Sequence, residues 1–256
     1  MPFNRIDAVA RFRRQLADNQ PLVGTWLQVA NSDYAEVIGD AGYDWAAVDM
    51  EHGAFSRQSL SDIFRALELG GTAPMARIAN PDSSLCQQSL DAGAAGVIIP
   101  RVESAAQLEL LVAACKWPPA GTRGVGFSRA NLYGKYFDRY KAESQMSFVV
   151  AQVESATAVT SIAEIAAVDG LDAIMIGPYD LSASLGRTGD LRHPEVQTAI
   201  QQVMTACRTV GVASGIHVVQ PSPPDLSDAI AAGHRFIAYG TDMLFLANHL
   251  QNPRRQ

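Results

Sequence analysis

Eight short apolar runs recur along the chain, each followed by a stretch whose apolar positions fall three and four residues apart. The runs are LVGTWLQV (22–29), WAAVDM (45–50), APMARI (73–78), GVIIPRV (96–102), MSFVVAQV (146–153), DAIMIG (172–177), VASGIHVV (212–219) and FIAYG (236–240). They are short, rich in Val and Ile and mostly without polar alternation, as strands covered on both faces must be. The stretches between them, among them SDYAEVIGDAG, SRQSLSDIFRALELGG, DSSLCQQSLDAG and SAAQLELLVAACK, read as helices. Several end in Gly, and Ser32, Asp82, Ser104 and Ser155 suit N-caps. The first twenty residues lack a continuous apolar core and read as an amphipathic helix rather than a signal peptide.

Strands alternating with helices imply a parallel sheet of the α/β class, either closed or doubly wound. Even spacing and a length of 256 residues favour a (β/α)8 TIM barrel, which runs near ~250 residues as one domain. No Pro/Ser linker or low-complexity block divides residues 1–256, so a single domain is expected. The segment 118–144 is longer than a normal strand-to-helix connection, a sign of a functional loop.

Composition narrows the partners. A net charge of −6 without a basic stripe argues against nucleic acid and anionic membrane. No apolar stretch is long enough to span a bilayer. Cys86, Cys115 and Cys207 show no C-x-x-C spacing, so reduced, buried thiols in a cytoplasmic protein are expected.

Barrel enzymes carry their chemistry at the carboxyl ends of the strands. Those ends hold Asp49, Glu51 and His52 on the second strand and Arg77 on the third. They hold Gln152 and Glu154 on the fifth, and Gly177, Pro178, Tyr179 and Asp180 after the sixth. Glu154 and Asp180 make an oxygen-rich pair suited to a divalent cation, or else they serve the helices that follow them. Asp49 beside His52 makes a general base, or else an N-cap beside a core histidine. Glu51 either supports that pair or binds an arginine. Arg77 interrupts an apolar strand and needs a carboxylate partner, from the protein or from a ligand. Arg101 is a weaker candidate of the same kind. The Gly177–Asp180 turn leads into a short helix whose free N–H groups suit a carboxylate. Gly121-Thr122-Arg123-Gly124-Val125-Gly126 does not run from a strand into a helix, so it reads as a loop bearing an arginine. The three lysines, Lys116, Lys135 and Lys141, end no strand, which argues against Schiff-base chemistry and for a metal electrophile.

Gly42-Tyr43-Asp44-Trp45, Asp49-Met50-Glu51-His52, the segment 118–126, Gln152-Val153-Glu154 and Ile176-Gly177-Pro178-Tyr179-Asp180-Leu181-Ser182 together resemble the HpcH/HpaI family of class II pyruvate aldolases, over residues 20–250. The resemblance implies a barrel of the phosphoenolpyruvate/pyruvate-domain type and reversible cleavage of a 4-hydroxy-2-oxo acid to pyruvate and an aldehyde. It implies Mg²⁺, Mn²⁺ or Co²⁺ on Glu154 and Asp180, catalysis by His52, Asp49 and Arg77, and substrate contacts from Gln152 and residues 177–180. It further implies a homo-oligomer, a hexamer or trimer, with a C-terminal helix (about 241–252) exchanged between subunits. Arg123 and Arg129, with the aromatics of 118–144, are expected near the acceptor aldehyde, or else they form a packing patch between subunits. The chain departs from many members in having Met50 rather than Gly and Arg101 rather than Met. The competing functions are a lyase or synthase acting on oxaloacetate or a citryl/malyl-CoA thioester, suggested by IIPRVES (98–104), and a non-catalytic oxo-acid-binding barrel.

Overall fold

Every one of the eight apolar runs forms a strand. The structure, a computed structural model, describes residues 4–250, 252 and 254. Helix α1 (Arg5–Ala17) precedes β1 (Leu22–Leu27), α2 (Ser32–Asp40), β2 (Trp45–Asp49), α3 (Arg57–Gly70) and β3 (Ala73–Arg77). Next come α4 (Ser83–Ala92), β4 (Gly96–Ile99), α5 (Ala105–Cys115), a short α6 (Phe137–Glu143) and β5 (Phe148–Val153). The chain continues through α7 (Ala156–Thr160), α8 (Ile162–Ala166), β6 (Ala173–Ile176), α9 (Pro178–Ser184), α10 (Pro194–Val210) and β7 (Ala213–Val218). It ends with α11 (Pro223–Ala232), β8 (Phe236–Thr241) and α12 (Asp242–His249). The strands pair in chain order, all parallel, and β8 closes on β1.

Alternation along each strand builds two cores. Trp45 and Ala47 of β2, Ala73 and Met75 of β3, and Phe148 and Val150 of β5 point into the barrel. Their neighbours Ala46, Val48, Ala76, Val149 and Ala151 pack outward against the helices. The two-residue period of a strand makes this division obligatory. Inside, Trp45 stacks on Phe236 at 4.5 Å and meets Trp26 edge-on. Gly24 leaves the room that Trp45 needs, since a Cβ there would lie 2.0 Å from its ring. Helix α1 closes the amino-terminal end of the barrel, with Phe12 set edge-on to Phe148.

The helix signals hold with small shifts. Asp82, Ser104 and Ser155 cap α4, α5 and α7 as expected, whereas Asn31 rather than Ser32 caps α2 through a hydrogen bond to Tyr34 N–H. Cys86, Cys115 and Cys207 are unpaired and buried in α4, α5 and α10. The long segment 118–144 is partly ordered into a 3-10 turn (Arg129–Asn131) and α6. Helix α12 is shorter than expected and packs against β1 and β8 of its own chain; Gln251 lies outside the described residues. No helix among the described residues is long and apolar enough to cross a membrane.

Candidate active site

The inward register that packs the barrel also delivers the polar groups. Asp49 follows Trp45 and Ala47 on the inner face of β2, Arg77 follows Ala73 and Met75 on β3, and Gln152 follows Phe148 and Val150 on β5. Gly177 continues the parity of Ala173 and Met175 on β6. All four therefore meet at the carboxyl rim, where they line a cavity of about 450 Å³ together with His52 and Asp180.

Asp49 is fully buried and Arg77 is 9% exposed. Arg77 donates to Asp49 through Nε at 2.9 Å and through Nη2 at 2.6 Å. Burial alone would raise the Asp49 carboxyl, but the Arg77 hydrogen bonds and charge hold it below the ordinary carboxylate range. The guanidinium lies 4.4 Å from the Trp26 ring centroid, which fixes its plane from the other side. Nη1 makes no hydrogen bond among the described residues and stands 3.6 Å from Glu51. Glu51 also stands 3.6 Å from Arg101, so it bridges two arginines.

The expected pairing of Asp49 with the His52 imidazole takes a different form. Asp49 Oδ1 accepts from the backbone N–H of Glu51 (3.1 Å) and of His52 (3.2 Å), and its remaining capacity goes to Arg77 and Gln28. The His52 ring is exposed at the cavity mouth and makes no side-chain hydrogen bond among the described residues. Asp49 thus fixes the turn that carries His52 rather than its ring.

Glu154 is buried at 6% exposure, at the floor of a second cavity of about 450 Å³ that it shares with Glu51, Arg101 and Asp180. Asp180 belongs to both cavities. Glu154 Oε1 accepts from Arg101 N–H at 2.7 Å, and Oε2 accepts from Gln152 Nε2. Arg101 is held at φ +52°, a left-handed conformation uncommon for a side-chain-bearing residue, with Nη2 donating to Asn80 Oδ1. Burial raises the Glu154 carboxyl, and the nearby carboxylates of Glu51 and Asp180 push in the same direction. Gln152 Oε1 is buried without a partner. Gly177 is required here, because a Cβ would lie 2.6 Å from Glu154 Oε2. Helix α9 starts at Pro178 with no side-chain cap, leaving its first N–H groups free.

A buried carboxylate crowded by like charges, next to an orphaned amide oxygen, is a hard-oxygen donor set that a divalent cation would neutralise. Glu154 and Asp180 fit that ion. No cluster of three or more His, Cys, Asp or Glu side chains with metal-binding geometry occurs among the described residues, so the remaining ligands would come from solvent or substrate.

Arg123 is not brought to this cavity in its own chain. Its side chain is buried between Tyr140, whose hydroxyl takes Nη2 at 3.1 Å, and Asp91 at 3.8 Å. Arg129 donates to Ala92 O and pairs with Glu68. Both anchor the segment 121–144 to the carboxyl ends of α3 and α4, the opposite end of the barrel from the cavity. Among the lining residues that sequence reasoning did not assign to the site are Trp26, Gln28 and His217. Gln28 and His217 interrupt apolar runs at inward positions just as Arg77 does, and that signal would have found them.

A closed parallel barrel thus brings an arginine, a histidine and two carboxylates to its carboxyl rim, where barrel enzymes carry their chemistry. The HpcH/HpaI aldolase/citrate lyase family model matches residues 22–249, and the chain belongs to that family. It is 37% identical over 241 residues to a hydroxypyruvate/pyruvate aldolase of Roseobacter denitrificans, covering 93% of each chain. It is also 37% identical over 225 residues to a 2-dehydro-3,6-dideoxy-6-sulfogluconate aldolase of Pseudomonas putida, covering 88% of each. Among solved structures, an HpcH/HpaI aldolase/citrate lyase family protein from Burkholderia cenocepacia superposes with a TM-score of 0.88 at 34% identity, covering 93% of this chain and 95% of that one.

Proposed function

We propose that the protein is a divalent-metal-dependent aldolase that reversibly cleaves a 4-hydroxy-2-oxo acid to pyruvate and an aldehyde. The observation that carries this reading is that Arg77, braced by Asp49, lines one cavity with Gln152 and Asp180, and that Asp180 also lines a second cavity with Glu154, to which Gln152 donates. Glu154 and Asp180 would hold Mg²⁺, Mn²⁺ or Co²⁺, which when bound supplies the electrophile for the keto oxygen of pyruvate. Lys116, Lys135 and Lys141 lie in or beside the segment 116–141 and end no strand, so an imine route has no candidate amine.

Arg77 donates Nη1 to the same keto oxygen, where negative charge develops as the methyl group loses a proton. The free N–H groups of Tyr179 and Asp180 face the pyruvate carboxylate, and Pro178 starts their helix without needing a partner for an N–H of its own. Gln152 positions Glu154. His52, held at the mouth by the Asp49-anchored turn, takes the methyl proton in the synthetic direction and the C4 hydroxyl proton in cleavage. The aldehyde then bonds to the pyruvate methyl carbon.

The assembly that suits this enzyme is a homo-oligomer, a trimer or hexamer with the terminal helix exchanged, and buried reduced thiols suit a cytoplasmic protein. Light scattering that returned a monomer at micromolar concentration would remove the assembly. The function is tested by pyruvate alone in D₂O, with the methyl signal followed by NMR. Exchange that needs added Mg²⁺, Mn²⁺ or Co²⁺ and is lost in Arg77→Ala supports the reading. Absence of exchange with all three ions overturns it.

A further inference from the structure

We infer that the wall of the cavity at the carboxyl ends of β1 and β7 is an acceptor-only surface, built by Gln28 and His217 to recognise the hydroxyl groups of a hydroxylated aldehyde. The inference rests on the aldol reading and names the class of its second substrate.

Gln28 Nε2 donates to Asp49 Oδ2 at 3.2 Å. A carboxylate can only accept, so the amide orientation is forced and Oε1 is the end left over. Gln28 is half-buried, lines the cavity, and its Oε1 has no partner among the described residues. His217 repeats the arrangement from the neighbouring side. Its Nε2 lies 3.2 Å from Gly240 O, and a carbonyl also only accepts, so Nε2 carries the proton. Burial, with the charge of Arg77, lowers the His217 pKa to about 4, so the ring is neutral near pH 7. Nδ1 is then a bare lone pair, and it too has no partner among the described residues. Trp26 holds the ring edge-on at 5.9 Å, so the imidazole is fixed in plane as well as in tautomer.

Both side chains thus direct their N–H groups into the protein and present only lone pairs to the cavity. Elsewhere in the cavity, Arg77 Nη1 and the first N–H groups of α9 are donors, and the acceptors there, Asp180 and Gln152 Oε1, belong to the proposed metal group. Donors suit the oxygens of pyruvate. Lone pairs suit hydrogens, and the hydrogens an aldehyde can offer are those of its hydroxyl groups. A bare alkyl chain against Gln28 and His217 leaves two partly buried acceptors unpaired, which costs affinity. Arg123, Arg129 and Arg139 of the segment 118–144 are engaged elsewhere in this chain, so this wall is the recognition surface that the cavity itself contains.

The test compares glyceraldehyde with propanal, its analogue lacking both hydroxyls, each with pyruvate and Mg²⁺ on the same preparation. The quantity read is the ratio of the two kcat/KM values, which cancels differences in folded fraction. Wild type is expected to favour glyceraldehyde. His217→Leu and Gln28→Leu are each expected to lower the ratio by about tenfold, the worth of one hydrogen bond to a partly buried acceptor. His217→Asn, whose Oδ1 replaces Nδ1, is expected to keep most of it. A ratio unchanged in both Leu variants, or a wild type that prefers propanal, overturns the inference while leaving the aldol reading intact. Failure of that reading has a different signature, namely no turnover of either aldehyde and no deuterium exchange into pyruvate.

Discussion

Arg77 and Asp49 stand opposite each other in the β2–β3 register, and the guanidinium grips the carboxylate through both Nε and Nη2. The grip turns a buried carboxylate into scaffolding and leaves one guanidinium edge for a ligand. Removing the carboxylate strands a buried cation, which typically costs about 3–5 kcal/mol. Asp49→Ala is therefore expected to shift the denaturant midpoint markedly, and Asp49→Asn less so. Equilibrium unfolding of both variants measures this, and an unchanged midpoint for Asp49→Ala would show that the pair does not brace the barrel.

His52 projects into the mouth on a turn tied to Asp49 through backbone N–H groups. Its replacement by Ala is expected to lower kcat by roughly 10²–10⁴, the usual range for a lost acid–base group. Metal affinity, read by calorimetry, is expected to stay within a few fold. A variant that loses metal with activity intact would reverse the assignment of base and ligand.

Gly177 has no room for a side chain, because its Cβ would press on Glu154 Oε2 at 2.6 Å. Gly177→Ala must displace Glu154 or the start of α9. Loss of metal affinity of roughly 10–100-fold is expected, as for other disturbances around a ligating group. Calorimetric titration with Mn²⁺ decides this, and wild-type affinity in the variant would separate Glu154 from the metal.

His234 is buried away from the cavity, and burial together with the charge of Arg235 lowers its pKa to about 4. As pH falls through 6.5 the unfolded chain takes up a proton at this residue, and the folded chain does not until about 4. Stability is therefore complete above 6.5 and declines across that window. His234→Gln is expected to flatten the slope of unfolding free energy against pH there. Parallel slopes in variant and wild type would contradict it.

The barrel was legible in the sequence because strands buried on both faces leave uninterrupted apolar runs, and each of the eight appears within a few residues of its expected bounds. The polar rim was legible wherever a charge closed such a run, as Asp49, Arg77 and Glu154 do. Gln28 and His217 carry the same signal but are uncharged, and neither belonged to a recognised motif. What one-dimensional spacing could not show was which neighbour each group would choose. Asp49 and His52 are three residues apart, yet the Asp49 carboxylate turns across the sheet to Arg77, whose donors are stronger than an imidazole's. The arginines of 118–144 looked poised for a ligand, but α3 and α4 offer Arg129 a carbonyl and a carboxylate at once.

The central claim is metal-dependent carbon–carbon bond chemistry at pyruvate, and it is tested most directly by aldol turnover of pyruvate with glyceraldehyde before and after chelation. Excess chelator is expected to abolish product formation, and Mg²⁺, Mn²⁺ or Co²⁺ is expected to restore it in wild type but not in Glu154→Gln. Full activity in chelator, or a pyruvate adduct trapped on a lysine by borohydride, would contradict it.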